Sequence, residues 1–310
     1  MNIAFCINEP GLRGLGVSLA SLIENCSNPG RLKIWFLCSG LKNRTKNRIR
    51  EYLEAGDKKI DHVFIDFDPE EHFGAYASLH GDRTTYGRLL LADIVKGNSV
   101  LYLDADLVVE IDVLELEHFQ FGGNFLAAVG GGIFKNTLGN KFYIGKLKID
   151  PLEEYFNAGI LLFDLKKWRE EKVKDQCLEL ANKYPLELPS HDQSLLNILC
   201  QGKFAKLPNN FNCSWEADQS KPGLSDKQIL HFVGAPKPWD PLASILHRGF
   251  KSWKKYHQKE SNFSVGRFTF FELKRLWHLR RSYARCILNH FKNLSHKEDF
   301  RTVRRINEKI

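Results

Sequence analysis

No stretch of the 310-residue chain is an apolar run long enough to span a bilayer. No C-x-x-C pair occurs among the seven cysteines, at positions 6, 26, 38, 177, 200, 213 and 286. Their scattered spacing and odd number exclude a zinc ribbon and argue against a disulfide framework. Several lie inside apolar segments and read as buried small hydrophobes, which fits a reducing cytoplasm. The opening MNIAFCI lacks a basic n-region, a long apolar h-region and a cleavage site, so no secretory signal is expected. Adjacent aspartates are also missing throughout. What remains is ordinary globular material, 43% hydrophobic and 26% charged. It suffices for one large α/β domain plus an appendage, or for two domains.

Charge is unevenly spread. From Lys251 onward there are 16 Lys+Arg against 5 Asp+Glu, whereas residues 1–250 hold 29 against 32. Residues 1–250 are therefore a mildly acidic body and the basic character lies in the last sixty residues; a domain over 1–255 and a basic region over 256–310 are expected.

Within the body, strands alternate with helices. Ile3–Ile7, Leu32–Leu37, His62–Ile65 and Val100–Leu103 read as strands, and Thr45–Leu53 and Tyr86–Val95 as helices. Phe156–Phe163 reads as another buried strand. A charged helix over Leu165–Tyr184 follows, and then a helix opening at Ser190 as its N-cap. The alternation predicts a parallel, doubly wound sheet, with ligands bound beyond the carboxyl ends of its strands. The turn Gly11-Leu12-Arg13-Gly14-Leu15-Gly16 has the spacing G-x-x-G-x-G, and no acidic residue ends the second strand. A dinucleotide site is not expected there, and the turn reads as flexible. Ala127–Asn140 is Gly-rich and reads as a mobile loop near a site or as a plain surface loop.

Val100–Val109 reads VLYLDADLVV, a buried-strand run broken by Asp104 and Asp106. An unpaired carboxylate is strongly disfavoured in a core, so the two aspartates belong where the strand leaves the sheet. A divalent cation would hold both and bind a substrate phosphate. An Asp-rich turn is the other reading.

Four stretches form a set: Thr84-Thr85-Tyr86-Gly87-Arg88-Leu89, Leu103-Asp104-Ala105-Asp106, FNAGILLFDLKKW at 156–168 with His191-Asp192-Gln193 after it, and HFVGAPKPW at 231–239. In order and spacing they resemble retaining glycosyltransferases of family 8, over roughly residues 1–255. The resemblance implies a GT-A nucleotide-sugar (Rossmann-like) fold with a mixed central sheet, making 1–255 the catalytic domain. It also implies a UDP-hexose donor (galactose or glucose) and a glycan or glycolipid acceptor. The metal would be Mn2+, with Mg2+ as the alternative, held by Asp104, Asp106 and His231. Ala105, Arg88, Asn157, Ala158, Asp192, Gln193, Gly234 and Lys237 would complete the donor site, with Asp192 and Gln193 nearest the chemistry. Gly234 would let backbone approach the diphosphate, and Lys237 would add a positive charge. Each has a blander reading: Arg88 as a helix-surface ion pair, Asp192 as first-turn charge, His231 as a core histidine.

The chain departs from the family pattern at Asn8. Many members carry an acidic residue there that helps bind the uracil ring, followed by a tyrosine. Here the stretch is Ile7-Asn8-Glu9-Pro10-Gly11. Asn8 can still pair with uracil, but stacking must come from elsewhere. Gln193 is a poor nucleophile, which favours front-face attack over a covalent intermediate. The acceptor loops, around Asp68–Arg83 and Gly130–Pro151, carry no recognisable motif.

In the basic region, Leu276, Leu279, Tyr283, Ile287, His290 and Leu294 recur at helical spacing, with Lys274, Arg281, Arg285 and Lys292 opposite. A basic amphipathic helix suggests peripheral attachment to an anionic surface, here the inner face of the cytoplasmic membrane. Packing of its apolar stripe on the body, or non-specific nucleic-acid binding, are the alternatives; no specific nucleic acid is expected. Two other functions stay open. One is a non-catalytic sugar-nucleotide or glycan-binding protein on the same fold. The other is a haloacid-dehalogenase-type phosphatase, which the D-x-D run resembles, although such motifs sit near the N-terminus and need a later acidic cluster.

Overall fold

Asn2–Asn8 (β1) is buried at all five interior positions because the sheet is covered on both sides. Ile3, Phe5 and Ile7 join one core with Leu15, Leu19, Leu22 and Ile49, while Ala4 and Cys6 join another with Tyr86, Leu89 and Trp168. A strand in that position needs apolar residues without alternation, which is how β1 and its neighbours read. The computed structural model describes residues 1–55, 59–78, 81–223, 227–258 and 274–289.

After β1 come α1 (Leu12–Asn25), β2 (Lys33–Ser39), α2 (Asn43–Glu54), β3 (Asp61–Asp66), α3 (Pro69–Phe73), α4 (Leu91–Ile94), β4 (Ser99–Leu103) and β5 (Leu107–Val109). Short strands β6 (Leu126–Ala128), β7 (Gly132–Ile133) and β8 (Glu154–Tyr155) lead to β9 (Ile160–Asp164). Then follow α5 (Leu165–Glu170), α6 (Val173–Lys183), α7 (His191–Cys200), β10 (Ala205–Lys206), β11 (Cys213–Ser214), β12 (Ile229–His231), α8 (Ala243–Leu246), α9 (Phe250–His257) and α10 (274–289). The main sheet runs β10-β6-β9-β4-β1-β2-β3. It is not all parallel, as the strand–helix alternation suggests, but mixed: β9 is antiparallel to both β4 and β6, and the other pairings are parallel. A three-stranded sheet, β11-β12-β5, stands beside it.

Several elements differ from their sequence reading. The Gly11–Gly16 stretch is helix and not a turn from Leu12 onward, where α1 begins, and a Cβ on Gly14 would stand 2.3 Å from the Ala105 carbonyl oxygen. Glycine is needed there so that the helix can touch the Asp104–Asp106 turn. Tyr86–Val95 is a 3-10 turn over Thr84–Leu90 followed by α4. Leu165–Tyr184 is two helices, broken at Lys172 in the left-handed region (φ +52°). Ser190 makes no side-chain cap; its N–H donates to Ser194 Oγ (2.8 Å), which also bonds Tyr143.

No helix among the described residues is long and apolar enough to cross a membrane. Within α10, Tyr283 and Cys286 are buried. Tyr283 donates to the Pro241 carbonyl (2.6 Å), Arg275 Nη2 lies 3.0 Å from Asp240 Oδ2, and Asn289 donates to Asp218 (2.5 Å). The expected apolar stripe is therefore divided: Tyr283 faces the body, whereas Ile287 is exposed. His290, Lys292 and Leu294 lie outside the described residues.

Candidate functional site

Two strand pairings assemble the centre. Antiparallel β4–β9 sets Leu103 opposite Ile160, and the Asp104 N–H donates to the Gly159 carbonyl (2.8 Å). Antiparallel β5–β12 sets His231 opposite Leu107, and the Phe232 N–H donates to the Asp106 carbonyl (3.0 Å). Asp104, Asp106 and His231 thereby offer three ligand atoms all within 4.8 Å of one another.

The donor set fits a divalent cation. His231 Nδ1 is 3.0 Å from Asn212 Oδ1, while the Asn212 amide donates to Asn157 Oδ1 (3.2 Å), so Nδ1 carries the proton. Nε2 is left facing Asp106 Oδ1 at 3.3 Å, a buried oxygen without a hydrogen-bond partner among the described residues. A metal-ligating histidine is held in this way, through its other ring nitrogen. Asp106 Oδ2 meets Lys237 Nζ at 2.7 Å. Burial alone would push the Asp106 carboxyl up, but Lys237, together with His231, outweighs it and holds the group well below the usual range. Burial pushes Asp104 up, with Arg88 offsetting part of the effect.

Arg88 is no surface residue; it is 3% exposed. Its Nη2 donates to Asp104 Oδ1 (3.1 Å), its Nε lies 3.0 Å from Asp192 Oδ2, and its Nη1 donates to the Ala158 carbonyl. The guanidinium stacks 4.2 Å over the Tyr102 ring, and the Tyr102 hydroxyl donates to Asp104 Oδ1 (2.6 Å). Thr85 donates to Asp192 Oδ1 (2.7 Å). Burial would lower the Arg88 pKa, yet the surrounding carboxylates raise it overall. Three carboxylates thus meet two fixed cations, Arg88 and Lys237, and a divalent ion would offset the remaining negative charge.

On α7, the Gln193 amide is committed at both ends: Oε1 accepts from the Ala158 N–H (2.9 Å), and Nε2 donates to the Tyr155 hydroxyl (2.9 Å). Asn157 Oδ1 accepts from the Gly159 N–H (2.9 Å). Asn197 clamps the Phe156 backbone from both sides (2.9 and 3.0 Å). Beside Gln193 opens a cavity of about 480 Å3, lined by Gly131, Thr137, Tyr155, Asn157 and Asn212 among others. The Gly-rich 127–140 segment forms one wall of it.

Lys237 lies between two prolines, and its Nζ also bonds the Phe232 carbonyl. Gly234 has φ +68°, a conformation that disfavours other residues. The Ala105 carbonyl accepts from Ser18 Oγ (2.9 Å) and so pins the turn to α1. Asn8, at the end of β1, borders a second cavity of about 670 Å3 with Ser39, Gly40, Phe67, Asp82 and Arg83. Asp68, Pro69, Glu70, Gly81, Asp82 and Arg83, from the stretch read as an acceptor loop, line this cavity instead of the one beside Gln193.

Sequence reasoning missed Tyr102, Tyr155, Asn212 and Asp82. For Tyr102 a signal existed: a tyrosine in a buried strand needs a partner for its hydroxyl, and Asp104 is two residues away on the same face.

The profile of glycosyl transferase family 8 matches residues 2–243. The chain is 26% identical over 258 residues to general stress protein A of Bacillus subtilis (strain 168), covering 77% of this chain and 87% of that one. It is 26% identical over 266 residues to the lipopolysaccharide 1,2-glucosyltransferase of Escherichia coli (strain K12), covering 78% and 74%. Among solved structures, the galactosyltransferase LgtC in complex with donor and acceptor sugar analogs matches with a TM-score of 0.71 at 25% identity, covering 86% of this chain and 98% of that one.

Proposed function

The chain belongs to glycosyl transferase family 8, and from that premise we propose that it moves a hexose, galactose or glucose, from UDP to a hydroxyl of a glycan acceptor with retained configuration. Its fold is the GT-A fold of the matched galactosyltransferase. The observation that carries the reading is the Asp104–Asp106–His231 cluster, with Lys237 bonded to one of its carboxylates at 2.7 Å. The phosphatase reading falls with the family assignment.

Asp104, Asp106 and His231 would hold a divalent cation, manganese by preference for its tolerance of imidazole, which would supply positive charge against the departing diphosphate. Lys237 supplies a second, fixed positive charge beside it. Arg88 holds Asp104 and Asp192 in register, so that Asp192 can accept hydrogen bonds from the donor sugar. Gln193 is locked by Ala158 and Tyr155 with one Oε1 lone pair left for the face of the anomeric carbon. A carboxamide fixed in this way supports front-face attack, with the acceptor hydroxyl entering from the 480 Å3 cavity. A lipopolysaccharide-type acceptor is supported by the name of the Escherichia coli relative.

We assign catalysis to residues 1–255 and membrane attachment to 256–310. Helical geometry puts Trp277, Arg281, Ala284 and Leu288 on one stripe of α10, opposite the Leu279–Tyr283–Cys286 side. Trp277 (69%) and Leu288 (61%) are exposed, flanked by Lys274, Arg281 and Arg285. That face suits an anionic lipid surface.

The test is UDP release from UDP-galactose and UDP-glucose, with and without manganese, for the parent and Asp106→Asn. Manganese-dependent release from one sugar, reduced about a hundredfold or more in the variant, is expected. Equal release by the variant would sink the metal assignment.

A further inference from the structure

We infer that Asp82, not Asn8, reads the nucleobase: its carboxylate accepts the imino N–H of uracil in the 670 Å3 cavity at the ends of β1, β2 and β3. The inference rests on the UDP-donor reading above. The cavity lies beyond the carboxyl ends of three parallel strands, where open α/β sheets bind ligands. β1 pairs directly with β4, so the cavity adjoins the strand end that carries Asp104.

Both amide hydrogens of Asn8 are taken by the protein itself. Its amide donates to Asp82 Oδ2 at 2.6 Å and to Thr84 Oγ1 at 3.3 Å, and its Oδ1 accepts from the Gly11 N–H at 3.0 Å. An asparagine has two amide hydrogens, and both are committed. Asn8 thus has no hydrogen left for a base carbonyl, and what remains to it, one Oδ1 lone pair, is a neutral acceptor beside the charged one that it holds.

The other carboxylates of the wall are occupied. Asp66 pairs with Lys46 (2.5 Å), Glu70 pairs with Arg83 (2.7 Å), and Asp68 caps α3 through the Glu70 N–H (2.8 Å). Asp82 is exposed and held by neutral donors, the Asn8 amide and the Thr84 N–H (2.8 Å). Among the described residues no cation pairs with it. Its charge is thus free for a ligand hydrogen, and its orientation is fixed from two sides.

The chemistry is selective. Uracil presents an N–H at ring position 3, whereas cytosine presents a lone pair there. A carboxylate attracts the first and repels the second, the kind of polar mismatch that discriminates strongly. Phe67 is the one aromatic among the described lining residues and offers a ring face against which the base can lie. The acid that family resemblance leads one to seek at position 8 stands instead on its hydrogen-bond partner, 74 residues along the chain.

Calorimetric titration with UDP and with CDP, in manganese, tests this on the parent, on Asp82→Asn and on the exchange Asn8→Asp/Asp82→Asn. Asparagine at 82 still caps Thr84, so the fold is kept, and a melting curve checks it. The parent should prefer UDP. Asp82→Asn should bind UDP about tenfold or more weakly with a narrowed preference over CDP, the loss of a charge-assisted hydrogen bond. The exchange returns the carboxylate to the same bonded pair and should recover UDP binding. If Asp82→Asn keeps the parent's UDP affinity and its preference over CDP, the assignment is wrong while the donor reading stands. If the parent binds neither nucleotide, the donor reading itself fails and takes this one with it.

Discussion

At Gly159 a Cβ would stand 2.3 Å from His231 Cε1 and 2.9 Å from Nδ1. The ring cannot yield easily, because His231 is buried and its Nδ1 is bonded to Asn212. Gly159→Ala should therefore displace the imidazole from Asp106. We expect manganese affinity, read by titration, to fall about tenfold or more, in the range found when a ligand's support is disturbed. The overpacking itself should cost about 1–3 kcal/mol of stability in a urea titration. Unchanged manganese affinity would mean that His231 is not a ligand in this geometry. The glycine stands in the sequence as part of FNAG, but nothing in the sequence says what it makes room for. Asp104, Asp106, His231 and Lys237 were legible because they sit in short, chemically marked strings at strand ends. Asn212, Tyr155 and Asp82 were not, because each acts through a bond to a residue at least 19 positions away. Such bonds exist only once the strands have found their register.

At the scale of elements, the same contrast separates long strands from short ones. β1, β2 and β4 carry five to seven residues and show themselves as apolar runs. β7, β8, β10 and β11 have two residues each, too few to display a period. Yet the small β11-β12-β5 sheet delivers His231, and what braces it includes His247, at the joint between α8 and α9. His247 is 3% exposed and packs against Phe232 and Trp215. Its Nδ1 accepts from the Gly249 N–H (2.9 Å), so the proton sits on Nε2, which is buried without a hydrogen-bond partner among the described residues. Burial, aided by Lys237, lowers its pKa from 6.5 to about 4. The folded value is the lower one, so as pH falls the unfolded chain takes up this proton first. Stability present above pH 6.5 is then lost towards pH 4, by up to about 3 kcal/mol from this group. His247→Gln keeps an acceptor for Gly249 and removes the titration. Its stability, measured by urea unfolding, should fall less steeply than the parent's between pH 6.5 and 4. Parallel curves would assign the acid sensitivity to other groups.

For the whole molecule, charge asymmetry was plain in the sequence, but which face of the basic helix looks outward was not. That depends on what the body offers as a seat. Asp240, Pro241 and Asp218 take Arg275, Tyr283 and Asn289, and this turns Trp277 and Leu288 to solvent beside Lys274, Arg281 and Arg285. The seat is polar and specific, so α10 is tied to the catalytic body and would orient the whole enzyme on a surface, not merely tether it. Each basic side chain near an anionic bilayer is worth about 1 kcal/mol, and burying a leucine or a tryptophan contributes at least about 1.5–3 kcal/mol. Trp277→Glu with Leu288→Glu leaves the seat untouched while reversing the outward face. Co-sedimentation with vesicles rich in anionic lipid should drop about tenfold or more for this pair, and the parent's binding should weaken as salt rises. Manganese-dependent turnover of a water-soluble acceptor should stay at the parent's level, because both side chains are exposed on the side of α10 opposite its seat. A double variant that sediments like the parent would show that α10 does not meet the membrane through this face.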